Sequence, residues 1–300
     1  MKRPAEILKI TRKQSKIMDA AVNIHREPGD AEHAAFLASQ LVQVTLPHSD
    51  PGDVPIWSRT SGNVTLSIVR MHQDVNGKMI GYPYGTIPRL LLYWLTSEAV
   101  RTKSPIITLG ASLSEFMREI GLNPRNGTGD RSDTSRLREQ MVRLFAAGIS
   151  FRRIENTHAR LGGLAIAKDL SLWWTPTAQA PLIESYVQLD EDFFKAITTA
   201  PVPLDMRALK ALKNSALALD LYAWATHKSY VVSKKGAEQF VSFSVLQSQL
   251  GTEYGDLRNF RRKLLQALVE VKAVYPSLRC EQVRGGLSIL SDTTPAILPR

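Results

Sequence analysis

The sequence predicts a mainly α-helical protein with small β-wings (α+β), arranged as tandem winged-helix domains, and three observations carry that expectation. Near the carboxy end, FSVLQSQLGTEYGDLRNFRRKLLQALVEV (243–271) reads as two short amphipathic helices separated by a turn. The apolar stripe of its second helix repeats an earlier one, because Phe260, Leu264 and Leu268 fall on Leu137, Met141 and Phe145 at a constant shift of 123 residues. The same shift carries Gly285-Gly286 onto Gly162-Gly163, so each helix is followed at equal distance by a pair of glycines suited to a hairpin turn. Helix, turn, helix and hairpin in that order describe a winged helix, present twice.

The elements follow along the chain. Residues 1–80 read as an amino-terminal extension with a mobile basic arm and short strands. A helix runs through Ile7, Ile10 and Ile17 and is stopped by Pro28, Gly29 and Asp30. A helical piece spans Ala31 to Ser39, PHSDPGDVP is loop, and Asn63 to Val69 alternates like a half-buried strand. The first winged-helix domain is expected over 81–175. Leu90, Leu91, Trp94, Leu95 and Ala99 place a helix after Pro88, and a β-branched run follows at Ile106 to Leu109. Ser112 with Glu115 forms a capping-box pair before a helix that Gly121 ends, and a further helix extends from Thr134 to near Gly148. Strands are expected around Ile149–Ile154 and Leu164–Trp173. Pro176, Pro181, Pro201 and Pro203 mark 176–203 as a connector around a strand (Tyr186–Leu189) and a helix (Asp190–Ile197). The second winged-helix domain occupies 204–292, with helices at Met206–Leu212 and Ala216–His227, and 293–300 form a tail.

The helix after Gly251 carries the candidate chemistry. Asp256 suits an N-cap; Leu257, Phe260, Leu264, Leu268 and Val271 form its inner stripe. Arg258, Asn259, Arg262, Lys263 and Gln266 fall on the other side, with Arg261 in the same basic run. Arginine can pair with guanine edges and asparagine or glutamine with adenine edges, so this face could both neutralise phosphates and read bases. On this segment alone a solvated helix face fits equally well. The wing would add Arg279 and Arg284 in the second unit, and Arg152, Arg153 and Arg160 in the first, placed for phosphates or a minor groove. The first unit has Ser135 and Glu139 at the positions of Arg258 and Arg262, although Arg136 and Arg143 remain on its helix. The second unit is therefore expected to be the better base reader.

Composition narrows the class. With 300 residues, 44% hydrophobic and 22% charged, the chain can bury more than one core, and a formal net charge of +10 favours an anionic partner such as double-stranded DNA. No apolar run reaches about 18 residues, and the first residues lack the apolar region of a secretory signal, so a cytoplasmic protein without a membrane partner is expected. The single cysteine, Cys280, excludes an intrachain disulfide and reads as a core residue. There is no GxxxxGK[ST], no GxSxG and no HExxH, so neither an enzyme nor a metal or cofactor is implied. Trp173 and Trp174 read as a strand pair split between core and surface rather than as a stacking platform.

Residues 81–148, from GYPYGTIPRLLLYWLTSEAV through SRLREQMVRLFAAG, together with LVQVTLPHSDP (41–51) and NVTLSI (63–68), resemble the RepA-type plasmid replication initiators. The resemblance covers most of 40–190 and is fainter across the second unit. It implies a protein that binds repeated sites at a plasmid origin, promotes opening, and recruits the host initiator and helicase. It also implies two winged helices, the carboxy-terminal one reading the major groove and the amino-terminal one serving dimerisation and backbone contacts; monomer and homodimer both stay open as the active form. A winged-helix transcriptional repressor, possible on the same scaffold and autoregulatory in one version, is the alternative. A protein-interaction scaffold with incidental basic charge is a second.

Overall fold

The computed structural model describes residues 11–30, 32–126, 129–130, 132–155, 158–172 and 185–297. Ile7, Ile10, Trp173, Trp174, Pro176 and Pro181 lie outside these residues. Helix α1 (Arg12–Arg26) precedes strand β1 (Ala34–Ala38), the short helix α2 (Ser39–Gln43), the hairpin β2 (Ile56–Ser61) and β3 (Val64–Arg70), and helix α3 (Thr86–Thr102). Strand β4 (Ile106–Thr108), helices α4 (Leu113–Glu119) and α5 (Asp133–Phe145), then β5 (Ala147–Glu155), β6 (His158–Ala165), β7 (Ala167–Ser171) and β8 (Tyr186–Leu189) follow. The second half contains α6 (Glu191–Thr199), β9 (Pro201–Asp205), α7 (Met206–Leu212), α8 (Ala216–Lys235), β10 (Gln239–Ser242), α9 (Phe243–Leu250), a 3-10 turn at Thr252–Tyr254, α10 (Leu257–Val274), β11 (Cys280–Val283) and β12 (Gly286–Ile289).

Local chemistry sets most helix starts. Ser112, Ser132, Asp190, Asp205, Ser215, Ser242 and Asp256 each place a side-chain oxygen to accept a backbone N–H from the first turn of the helix that follows. Helices α3 and α8 are apolar almost all round, as expected of elements buried on every side: Leu90 to Leu95 and Leu217 to Ala225 are all within the buried set. In α8 that set includes Asp220, whose carboxylate is paired as described below.

Both units have winged-helix topology. In the second, α8, β10, α9 and α10 lead to a three-stranded sheet of order β10-β12-β11. The first repeats this with α3, β4, α4 and α5 and a sheet of order β4-β8-β7. The expected helix register holds, since Phe260, Leu264 and Leu268 are buried as Leu137, Met141 and Phe145 are.

The hairpin register does not hold. The strand pair equivalent to the second unit's wing is β7–β8, whereas β5–β6 joins β2–β3 in a separate sheet of order β2-β3-β5-β6. Gly285 does sit in the turn between β11 and β12, at φ +86°. Gly162 and Gly163 instead lie within β6, opposite Phe151 and Ser150. The reason is pairing: β5 is claimed along most of its length by β3, from Arg70 opposite Ala147 to Val64 opposite Arg153, with Leu66 and Ile68 buried beneath. The first unit thus carries one inserted hairpin, β5–β6, which the β2–β3 hairpin of the preceding segment completes into a sheet.

Three further expectations change for related reasons. Tyr186–Leu189, read as part of a connector, is the central strand of the first unit's sheet, so a boundary at residue 175 falls between paired neighbours β7 and β8. Ala34–Ala38, read as helical, is a strand because it pairs antiparallel with β9, Phe36 opposite Pro203. The amino-terminal segment is no mobile arm over Arg12–Arg26: Ile17 and Ile24 are buried, and Lys13 pairs with Glu270 of α10 at 2.5 Å.

The β1–β9 ribbon joins the two units. Phe36 donates its N–H outward to the Ser97 hydroxyl at 2.9 Å, which places the Phe36–Pro203 pair at a position without ladder hydrogen bonds. Pro201 and Pro203 therefore occupy sites where a backbone N–H would point away from β1, and the ladder loses nothing to them.

Candidate nucleic-acid interface

Helix α10 is positioned by Asp256, whose carboxylate accepts the Asn259 N–H at 2.7 Å, and by the buried Phe260, Leu264, Leu268 and Val271. Leu257, expected on the inner stripe, is 43% exposed, because the helix meets its core only from Phe260 onward.

Arg258, Lys263 and Gln266 are exposed on this helix and have no hydrogen-bond or ion-pair partner among the described residues. Arg262 is exposed and donates to the Asn259 side-chain oxygen at 2.9 Å. The other end of the Asn259 carboxamide donates to the Tyr254 carbonyl at 3.4 Å. Asn259, expected as a free base reader, thus has both ends occupied and holds Arg262 in place. Arg261 turns toward α9, its guanidinium over the Phe243 ring at 5.1 Å. Arg284 is exposed in the β11–β12 turn; Arg279 is exposed at the base of that hairpin, 3.8 Å from Asp292.

The first unit offers less. Arg143 is half-buried and fully occupied: it pairs with Asp50 at 2.8 Å and Glu139 at 2.7 Å, donates to the Tyr82 carbonyl at 3.1 Å, and lies over the Tyr84 ring. Its role is to tie α5 to the segments before α3, which withdraws it from a free basic face. Arg136 is exposed and 3.6 Å from Asp133. It lines a polar cleft of about 620 Å³ between α5, Lys16 of α1 and Lys213 before α8. Burial, together with the nearby Lys16 and Lys210 charges, pushes the Lys213 ammonium below the usual lysine range. Arg152 is exposed on β5. Arg153 and Arg160 face one another across β5 and β6 in backbone register; their side chains lie outside the described residues.

Sequence reasoning missed the buried polar groups beside this interface. Arg59 of β2 and Arg89 of α3 are 1% and 3% exposed. Arg89 donates through two nitrogens to the Asp220 carboxylate at 2.7 and 2.8 Å, and His48 donates to the same carboxylate at 2.8 Å. Burial alone would raise the Asp220 carboxyl, but the Arg89 charge and the two donors outweigh it and hold the group well below the usual carboxylate range. His48 is pushed down by burial and by the neighbouring guanidinium charges of Arg89 and Arg59, against the pull of Asp220, and is neutral. Nothing in the local sequence SRTSG or IPRLLL distinguishes a buried arginine from an exposed one; only the packing of the two units does.

Among the described residues there is no cluster of His, Cys, Asp or Glu able to hold a metal ion, and no helix is long and apolar enough to cross a membrane. Two winged-helix units, the second presenting an unpaired basic helix face, define a tandem winged-helix protein. The sequence profile of the plasmid-encoded RepA protein family matches residues 82–245, more than half of the chain. The chain belongs to that family, one of plasmid replication initiators. The matched region runs from the segment before α3 into α9 and stops short of α10. None of the curated proteins compared with the chain matches it. A crystal structure of domains 2 and 3 of RctB is similar over 84% of this chain and 98% of that chain, with 11% sequence identity and a TM-score of 0.48.

Proposed function

We propose that this chain acts as a sequence-specific DNA-binding replication initiator in the bacterial cytoplasm, binding repeated sites at its plasmid's origin and promoting their opening without catalysis of its own. Host initiator and helicase are the partners it would recruit. The observation that supports this reading is the unpaired row Arg258, Lys263 and Gln266 on α10, with Arg262 held beside it by Asn259 and Arg284 projecting from the adjacent wing. The α10 side chains fit a major groove, and the wing fits the flanking backbone.

In this reading Arg262→Ala removes a base contact and relaxes sequence preference, at a cost of about 1–3 kcal/mol on the preferred site. Arg284→Ala weakens all sequences alike and lowers the salt slope by about one. Binding to origin and random duplexes across salt concentrations checks both; equal loss on the two duplexes for both variants overturns the assignment of Arg262. Initiation is separated from repression by plasmid maintenance. An origin that replicates without the protein would leave a repressor as the function.

A further inference from the structure

The turn that launches α10 is held by the segment that precedes the first unit. Arg59 has a fully buried side chain although it belongs to the β2–β3 hairpin, outside both winged-helix units. One guanidinium nitrogen donates to the Thr45 and Leu46 carbonyls at 3.1 and 3.3 Å, and the other reaches both oxygens of Glu253 at 2.5 Å. Glu253 lies in the 3-10 turn between α9 and α10. His48 adds its backbone N–H to Glu253 at 3.4 Å and its ring edge-on to Tyr254 at 5.8 Å. From Tyr254 two links enter α10: its carbonyl accepts from Asn259, and its ring packs on Phe260 at 5.8 Å. Asn259 then accepts from Arg262. The connection is continuous from Arg59 through Glu253, Tyr254 and Asn259 to Arg262.

The turn needs such a restraint. It is bracketed by Gly251 and Gly255, and Gly255 has φ +72° with open space around it, so the backbone here has little stiffness of its own. The buried, planar guanidinium of Arg59 spans two anchors at a fixed spacing, one nitrogen on the Thr45 and Leu46 carbonyls and the other on the more exposed Glu253 carboxylate. It thereby fixes orientation as well as distance in a way that a single lysine nitrogen does not.

We infer that Arg59 is a positioning residue for base reading: by clamping Glu253 it sets the angle at which α10 presents Arg258 and Arg262 to a groove. The inference rests on α10 being the reading helix. Phosphate attraction tolerates a change of angle, whereas paired hydrogen bonds to base edges do not, so release of the clamp costs discrimination before it costs general affinity.

The test uses the full chain, a duplex that the wild type selects from a random pool, and an unselected duplex. For Glu253→Gln the expected result is a loss of about tenfold or more in the ratio of the two affinities, the scale of one base contact. Affinity for the unselected duplex should stay within about threefold, with an unchanged salt slope, because no phosphate contact is removed. Both constants come from one preparation, so any unfolded fraction cancels from the ratio, and a role confined to stability leaves the ratio unmoved. Arg59→Lys, which keeps the charge but loses the second nitrogen that anchors the group on the Thr45 and Leu46 carbonyls, should lower the ratio in the same direction. Wild-type ratios in both variants would overturn the assignment of Arg59. A wild-type chain that fails to enrich any sequence would instead overturn the reading of α10 itself.

Discussion

Asp220 and Arg89 carry opposite charges in a place where neither can reach water, and their pairing is strong only while both are present. Asp220→Asn leaves the Arg89 guanidinium buried among the Leu46, Pro47 and Gly85 carbonyls without a counter-charge. The expected loss is about 3–5 kcal/mol of stability, measurable by urea unfolding. His48 adds a pH dependence whose sign follows from its depressed value. Between the folded value and the unfolded one, near 6.5, the unfolded chain binds the extra proton, so stability is complete above that range and falls as pH drops through it. His227, lowered by burial and by Lys228, acts in the same direction. The thermal midpoint should therefore fall between about pH 7 and 5, and the double variant His48→Gln, His227→Gln should flatten the profile. Asp220 enters only in stronger acid, because its carboxyl must be protonated before the pair is lost.

At the scale of elements, the helices were the legible part of the sequence. Ser112, Asp256 and Gly251 announce ends that the structure keeps, and the spacing of Phe260, Leu264 and Leu268 is enough to identify the buried face of α10. Strand pairing was less legible because it depends on partners far away in the chain. Gly162-Gly163 and Gly285-Gly286 look alike as dipeptides, yet one pair sits inside β6 and the other at a turn. What separates them is the β2–β3 hairpin, of which only β3 shows an alternation of apolar residues. The basic face was half legible: residue type located Arg258 and Arg262, but not the occupation of Asn259 by Tyr254 or of Arg143 by Asp50 and Glu139. The second wing allows a direct check. A Cβ at Gly286 would lie 2.2 Å from the Val241 carbonyl oxygen, part of the neighbouring strand's backbone. Gly286→Ala should therefore destabilise the unit by about 1–3 kcal/mol, read as a lowered thermal midpoint.

Across the whole molecule, the ribbon of β1 and β9 has a consequence for the order of events during synthesis. Ala38 lies opposite Pro201, so every strand and helix of the first unit leaves the ribosome before the partner of β1 exists. Closing so long a loop is slow rather than costly, since its entropy grows only with the logarithm of its length. Until Asp205 emerges, β1 offers an unpaired edge over Ala34–Ala38. A chain ending at residue 195 should accordingly self-associate more strongly in light scattering than the full chain, and Leu37→Pro in the short chain, which removes an N–H aimed at the open edge, should suppress it. The prolines of β9 then take on a temporal meaning: once β9 docks, Pro201 and Pro203 present no N–H to a third strand, and the edge that was open during synthesis is closed to newcomers.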